Sequence, residues 1–331
     1  MSTLLALAFS DLHLHKFRNF DVEGSRLKNS FRVLNIMFNK ADQLKVPLLF
    51  CGDLVHDPKN IDTEINMILQ EKFDSRSTRF IAIDGNHDQS EKSTFTHYPP
   101  SHLQALKGKP NFHILNVKNS VSIPYFDDKY INCPGHLSLY GVPYMSNDKD
   151  LHKAIKGIKV LSKDDFNILM LHTDIPGAKT PEGMEVRETE YINKNLDEYF
   201  KQWDLVLCGH IHLPQKLSKK VYMLGSPIHQ TVGDAGVEMG YWEVYSDRTM
   251  KFKPLKAFPK FIRLKKGEIA PDNDNYYIAY DEVLEDEEVE LGEFNINKSK
   301  GQLAKKYCKV KGIKSKSKKR ALIKVLNSPE L

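Results

Sequence analysis

Short apolar runs alternate with longer amphipathic stretches along the first part of the chain. Apolar residues recur three and four positions apart across 25–44 and again across 61–73, a spacing typical of helices with one buried face. The apolar runs between these stretches are four to six residues long and end in polar clusters, so we predict that they are buried strands. These predicted strands are 4–9, 46–51 and 80–83.

Strands dominate the pattern in the middle of the chain. Only one further helix is predicted there, over 148–161, and glycine and proline separate several of the apolar runs. Strand–helix alternation that gives way to strand pairs favours an α/β (α+β) fold, with mixed sheets and helices outside them. The pattern changes at 254–259, which predicts a domain boundary. The strands predicted in this part are 112–115, 121–124, 137–143, 167–171, 204–208, 221–224 and 239–244.

Length and composition predict one large domain with a smaller appendage, since the chain has 331 residues and 40% of them are hydrophobic. No apolar run approaches the ~20 residues that span a bilayer, so no membrane association is expected. The N-terminal apolar run lacks the basic leader of a signal peptide, which favours a core strand. The cysteines form no Cys-x-x-Cys pair, which favours reduced core residues and a cytoplasmic location. They are Cys51, Cys133, Cys208 and Cys308.

The net charge of +5 hides a strong asymmetry. Residues 298–324 hold eleven lysines, one arginine and no acid, a charge of +12 that leaves −7 for the rest of the chain, and 281–293 hold eight acids. Such charge blocks are typical of solvated tails, and a lysine cluster also suits a polyanion because it releases counterions from nucleic acid. Both interpretations stay open. The segment 321–326 is equally well explained as a partner-docking helix and as a surface helix.

Five polar clusters each follow an apolar run, which places them together on one rim of a sheet if the runs are strands. Asp, His and Asn are ligands of hard-to-borderline divalent cations, and paired metal ions commonly cleave phosphate esters. One such cluster alone is usually a turn, but five in order favour a site. The clusters are Asp11-Leu12-His13, Gly52-Asp53-Leu54-Val55-His56, Gly85-Asn86-His87-Asp88, Leu171-His172-Thr173 and Gly209-His210-Ile211-His212.

Seven of these side chains are enough for two metal ions. Asp11 and His13 stand two apart in an extended segment, so they project from the same face and suit one ion. Asp53 is expected to bridge two ions with its two carboxylate oxygens, and His87 to stand beside the metals. The seven candidate ligands are Asp11, His13, Asp53, Asn86, His172, His210 and His212.

This series of clusters resembles the calcineurin-like metallophosphoesterases over residues 1–250. The resemblance implies two packed mixed β-sheets flanked by helices, a four-layer sandwich, with two metals at the strand ends. It also implies that His87 is the catalytic acid and that Asp88 orients it. By matching position, Asp11, His13, Asp53 and His212 would hold one metal, and Asp53, Asn86, His172 and His210 the other.

Two further features resemble the SbcD branch of that family, the nuclease subunits of DNA recombination and repair complexes, including phage-encoded members. The first is His56, three residues after Asp53, which would help to position the scissile phosphate; a loop histidine without a role stays open as the alternative. The second is the run 209–215 with its continuation at 222–227. His15 departs from the SbcD pattern, which usually has a small residue there.

The SbcD resemblance implies a DNA nuclease with two divalent ions, expected to be manganese, and magnesium stays open as the alternative. It implies an SbcC-like coiled-coil ATPase partner, a homodimer within a heterotetramer, and, for a viral member, the host cytoplasm. The chain would then divide into a nuclease domain (1–254), a reduced DNA-capping domain (255–297) and a basic tail for DNA or partner binding (298–331). A small-molecule or protein phosphoesterase on the same fold and a non-catalytic scaffold stay open as alternatives, although every expected ligand is present.

Overall fold

A computed structural model describes residues 2–281 apart from gaps at 18, 22–23, 61, 126–134, 266–267, 270 and 272–275. No helix in these described ranges is long and apolar enough to cross a membrane. The helices are α1 (Ser25–Leu44), α2 (Thr63–Asp74), α3 (Asp148–Gly157) and α4 (Leu196–Tyr199), with 3₁₀ turns at His102–Leu106 and Val232–Asp234. The strands are β1 (Leu4–Phe9), β2 (Leu48–Phe50), β3 (Phe80–Ala82), β4 (Phe112–Ile114), β5 (Ser120–Tyr125), β6 (Gly135–Val142), β7 (Phe166–His172), β8 (Leu205–Gly209), β9 (Gln215–Lys216), β10 (Val221–Met223), β11 (Gly240–Tyr245), β12 (Met250–Pro254), β13 (Lys260–Lys265) and β14 (Tyr276–Asp281).

Most strands form two six-stranded mixed sheets. The first has the order β12-β11-β1-β2-β3-β4, in which β1 to β4 run parallel and β11 and β12 are antiparallel additions. The second has the order β5-β6-β7-β8-β10-β9, with a parallel centre and an antiparallel strand at each edge. The predicted mixed sheets are thus confirmed.

The two sheets pack face to face because their strands alternate apolar side chains between an inner and an outer face. In β1, Ala6 and Ala8 point into the core between the sheets, whereas Leu7 and Phe9 point to the core beneath α1 and α2. The outer face of the second sheet packs against α3 and α4. The result is a four-layer sandwich of helices, sheet, sheet and helices, as predicted.

The helix boundaries follow local chemistry that the apolar spacing alone does not define. Helix α2 begins after Asp62, whose carboxylate accepts the backbone N–H groups of Glu64 and Ile65 as an N-cap. Helix α3 ends at Gly157, four residues before the predicted end at 161, so the prediction over 148–161 was too long. The predicted strand 46–51 was also too long, since β2 covers only Leu48–Phe50.

A small parallel sheet of β13 and β14 follows the sandwich, within the segment predicted to be the capping domain. Phe261 of β13 is buried, and its backbone N–H donates to Nδ1 of His229 at 3.0 Å. Arg26 of α1 lies over the rings of Phe261 and Tyr277, at 5.2 and 5.3 Å from their centroids. The basic tail at 298–331 and most of the acidic run at 281–293 lie outside the described residues.

Candidate metal centre

The candidate ligands follow the carboxyl ends of parallel strands, as the sequence predicted. Asp11, Asp53 and Asn86 come after β1, β2 and β3 of the first sheet. His172 is the last residue of β7, and His210 follows β8 in the second sheet. A hydrogen bond joins the two sheets here, since Nδ1 of the His172 side chain lies 2.6 Å from the backbone carbonyl oxygen of Cys51. Both sheets therefore contribute to one site.

The first ligand group consists of Asp11, His13 and His212, whose ligating atoms all lie within 4.8 Å of one another. The Nε2 atoms of His13 and His212 are 3.2 Å apart. Burial lowers the pKa of His13 well below its usual value, so its ring is neutral at pH 7. Two imidazoles with facing nitrogens are suited to one cation.

The second ligand group consists of Asp53, His172 and His210, again within 4.8 Å of one another. The side-chain oxygen of Asn86 joins it at 3.1 Å from Nε2 of His172. His172 is fully buried, and its Nδ1–H donates to the Cys51 carbonyl, which leaves Nε2 directed toward Asp53 and Asn86. All seven predicted ligands are thus gathered in these two adjoining groups.

Asp53 stands between the groups. Its Oδ2 lies 3.6 Å from Nε2 of His13 and 3.3 Å from Nε2 of His172, while its Oδ1 accepts the backbone N–H of His87 at 2.8 Å. The structure thus places one oxygen between the groups, rather than one oxygen at each. Burial opposes ionisation of Asp53, but His172 and His13 outweigh it and hold the pKa of the carboxyl well below its usual range.

The same ion pair acts on His172. Burial favours its neutral form, but Asp53 outweighs burial and raises the pKa of His172 to about 10. At neutral pH Asp53 is therefore an anion and His172 carries a proton when no cation is bound, so a metal ion would replace the proton on Nε2 of His172.

The donor set fits two divalent ions. Neighbouring ligand atoms that each lie about 2.1 Å from one ion are about 3 Å apart, which is the spacing of His13 from His212 and of His172 from Asn86. A set of four imidazoles, two carboxylates and one amide suits ions that accept nitrogen ligands, such as Mn²⁺, Fe²⁺ or Zn²⁺. It suits ions that prefer only oxygen ligands less well.

Four of the ligands have backbone conformations that are rarely adopted by residues other than glycine. Positive φ angles occur at Asp11 (54°), His13 (47°), Asp53 (61°) and His210 (96°), four of the seven such non-glycine residues in the described chain. Each conformation costs about 1–3 kcal/mol, so the surroundings must hold it in place. The concentration of these conformations here is typical of a functional site.

The backbone N–H of each of these four residues is bound by another group of the site. Asp11 and His13 donate to the carbonyl oxygens of Gly52 and Asp53, both at 3.0 Å. Asp53 donates to the Asp88 carboxylate at 2.7 Å, and His210 donates to the Asp11 carboxylate at 3.1 Å. The ligand loops therefore hold one another in their strained conformations.

Glycines allow these loops to approach closely. A Cβ atom on Gly85 would collide with the Asp53 side chain, and one on Gly209 would collide with the Cys51 carbonyl and the His172 ring. A Cβ atom on Gly52, which has a φ of 92°, would collide with the same His172 ring. The Gly-Asp, Gly-Asn and Gly-His pairs noted in the sequence thus have a steric cause.

His87, the predicted acid, lies at the edge of the centre. Its Nδ1–H donates to the backbone carbonyl of His56 at 2.7 Å, so Nε2 remains available for chemistry. The rings of His87 and His56 stack with centroids 4.8 Å apart and planes 14° apart, and the His15 ring also stacks on that of His56, at 4.2 Å. His56, which is exposed, therefore stands beside the centre and contacts the predicted acid.

Asp88 acts on the backbone and not on the acid. Its two oxygens accept N–H groups from Asp53, Leu54, Val55 and Gly85 at 2.7–3.2 Å. None of the hydrogen bonds described for it goes to His87, which is oriented instead by the His56 carbonyl. The hydrogen bonds described for Asp88 instead fix the loop that carries Asp53, the candidate bridging ligand. Burial raises the pKa of Asp88, while the N–H groups oppose this rise.

Comparison with known proteins identifies the family of this chain. Residues 5–214, which include all seven candidate ligands, match the calcineurin-like phosphoesterase family. The chain belongs to this family. It is also similar to the SbcD subunit of the nuclease SbcCD from Staphylococcus saprophyticus, at 24% identity over 301 residues, 83% of this chain and 73% of that protein. A solved structure, the calcineurin-like phosphoesterase YfkN from Bacillus subtilis, has 13% identity and a TM-score of 0.41 over 77% of this chain and 89% of that one.

Sequence reasoning missed three residues of this phosphoesterase site. Asp234 is buried with Oδ1 3.6 Å from Nδ1 of His212, and the exposed Asp174 has Oδ1 3.6 Å from Nε2 of His210. The Tyr144 ring lies 5.8 Å from that of His210. Thr231-x-x-Asp234 has the pattern of a capping box, which signals a helical turn but not its contact with His212.

Proposed function

We propose that this phosphoesterase is a two-metal DNA nuclease, the nuclease subunit of an SbcC–SbcD-like recombination and repair complex. The observation that carries the proposal is the similarity to the SbcD subunit of the nuclease SbcCD. This similarity covers 83% of the chain, whereas the match to the phosphoesterase family ends at residue 214. In this proposal, the segment 255–297 caps DNA and 298–331 contacts DNA or the partner.

The proposed partner is an SbcC-like coiled-coil ATPase, and the proposed assembly is a homodimer of this chain within a heterotetramer. The chain contains no Gly-x-x-x-x-Gly-Lys-Ser/Thr loop for ATP, which is consistent with an ATPase on another polypeptide. We place the complex in the cytoplasm.

The proposed ions are two Mn²⁺, one held by Asp11, His13, Asp53 and His212 and the other by Asp53, Asn86, His172 and His210. Bound there, they would supply Lewis-acid activation of water and neutralise the phosphate charge. His87 donates a proton from Nε2 to the leaving oxygen, since Nδ1 is engaged with the His56 carbonyl. The exposed edge of His56, held by stacking, positions the scissile phosphate.

The test is cleavage of end-labelled duplex and single-stranded DNA by the purified full chain in Mn²⁺, with Mg²⁺ and EDTA in parallel. We expect cleavage in Mn²⁺ and none in EDTA. Asp53→Ala should lose both cleavage and Mn²⁺ binding. His87→Ala should lower kcat about 10²–10⁴-fold and still bind Mn²⁺, because its ring is not among the ligands.

Two results would contradict the proposal. Turnover of cyclic nucleotides or phosphoproteins without DNA cleavage would favour a small-molecule or protein phosphoesterase. Full activity of the His87→Ala protein would remove the assignment of the acid. The same assay on a chain that ends at residue 297 tests the contribution of the basic tail.

A further inference from the structure

The loop between β10 and β11 carries a buried carboxylate behind one of the candidate ligands. Asp234 is 1% exposed, and its Oδ2 accepts the backbone N–H groups of Gln230 and Thr231 at 2.7 and 2.8 Å. Its Oδ1 is buried and has no hydrogen-bond partner among the described residues. The nearest donor described for it is Nδ1 of His212, at 3.6 Å, about 0.7 Å more than an N–H···O hydrogen bond.

A carboxylate at this position determines how the imidazole presents its nitrogens. Because Asp234 faces Nδ1 of His212, the proton belongs on Nδ1, and Nε2 is left with its lone pair toward His13, 3.2 Å away. His172 is oriented differently, by the backbone carbonyl of Cys51. Partners of this kind fix the tautomer and orientation of metal-binding histidines, and their loss typically costs 10–100-fold in metal affinity.

We propose that Asp234 is a positioning residue for His212, which holds the Nδ1–H tautomer and thereby sets the affinity of the Asp11–His13–His212 group for its divalent cation. The second group, which contains His172, does not contact Asp234 among the described residues. The inference deepens the proposed function and rests on it only for the presence of the cations.

A purely structural role for Asp234 is the competing explanation, because its Oδ2 also caps the turn Val232–Asp234. Asp234→Asn separates the two roles. The amide keeps one oxygen for the turn, but it removes the charge that faces Nδ1 of His212. Asp247→Asn is the matched control, since Asp247 accepts the Thr249 N–H in an exposed hairpin turn away from the centre.

The first measurement is Mn²⁺ binding by the full chain, followed through the electron paramagnetic resonance signal of free Mn²⁺. We expect two tight sites in the wild type and in Asp247→Asn. In Asp234→Asn, one of the two sites should be about 10–100-fold weaker. The second measurement is the ¹⁵N spectrum of the histidine rings without added metal, which should show Nδ1–H at His212 in the wild type and the control but not in Asp234→Asn.

Unchanged Mn²⁺ affinities and an unchanged His212 tautomer in Asp234→Asn would overturn the inference, even if the variant unfolds more readily. Weakening of both sites to the same extent would also overturn it, because the effect would then not pass through His212. The proposed function fails separately: a wild type that binds two Mn²⁺ ions without cleaving DNA leaves the role of Asp234 standing.

Discussion

Replacing Asp88 by asparagine is expected to destabilise the whole sandwich and not only to slow catalysis. The two carboxylate oxygens each accept two backbone N–H groups: Oδ1 those of Leu54 and Val55, Oδ2 those of Asp53 and Gly85. In Asp88→Asn one of these oxygens becomes an NH₂ group, which cannot accept. Two buried N–H groups therefore lose their acceptor.

The magnitude follows from those two groups. A buried donor left without a partner costs about 1–3 kcal/mol, so Asp88→Asn should lower the free energy of unfolding by about 2–6 kcal/mol. The total free energy of unfolding of a folded protein is only about 5–15 kcal/mol. If the lost donor pair includes the N–H of Asp53, which has a positive φ angle, this candidate ligand should also lose its position and Mn²⁺ should bind more weakly.

The measurement is urea unfolding followed by the fluorescence of Trp203 and Trp242, both buried in the sandwich. Asp57→Asn serves as the control, because its exposed carboxylate also accepts a backbone N–H, that of Lys59, in a loop close in sequence. The control should change stability by less than about 0.5 kcal/mol. An Asp88→Asn protein of wild-type stability that has lost only kcat would refute this reasoning and restore a role for Asp88 in orienting His87.

Three further predictions concern the same region. Burial raises the pKa of Asp84 to about 6, so its contribution to stability is lost as the pH rises from about 4 to 6. Asp84→Asn should remove this loss and raise the free energy of unfolding at pH 8, measured in urea, by up to about 3 kcal/mol. A variant less stable than the wild type would contradict this prediction. Gly209→Ala should lower the free energy of unfolding by about 1–3 kcal/mol and abolish Mn²⁺ binding, because the added methyl group collides with Cys51 and His172. Gly157→Ala, whose methyl group would face open space, should change neither. Mn²⁺ at 100 times its Kd should raise the free energy of unfolding by about 2.7 kcal/mol for each ion bound, or Tm by about 5–10 °C per ion, and an equal shift in Asp53→Ala would count against the site.

Much of the fold could be predicted because its core elements carry strong local patterns. Helix α1 shows its buried face through the spacing of Phe31, Leu34 and Phe38, and β7 and β8 are continuous apolar runs. The strands β9, β12, β13 and β14 were missed. β9 has only two residues, and β12 and β13 mix lysine with apolar residues in partly exposed positions, so they are strands only through pairing with neighbours.

The candidate ligands could be predicted because strand ends leave a local mark: an apolar run followed by a polar group, with a glycine between them in three of the five clusters. The residues that hold those ligands leave no such mark. Asp234 meets His212 from 22 positions further along the chain, beyond β9 and β10, and the His15 ring reaches His56 from a different strand end. Asp88 was recognised as part of the site, but its partners are backbone groups, which a sequence does not display.

The place of β1 in the first sheet has a consequence for synthesis. β1 lies in the middle of that sheet, where it pairs with β2 on one side and with β11, Gly240–Tyr245, on the other. The Asp11 carboxylate at its end likewise accepts the N–H of His210. On the ribosome, β1 must therefore wait until residue 245 has emerged before its sheet closes. The candidate metal centre is thus completed only late in translation, and folding depends on distant contacts that form slowly.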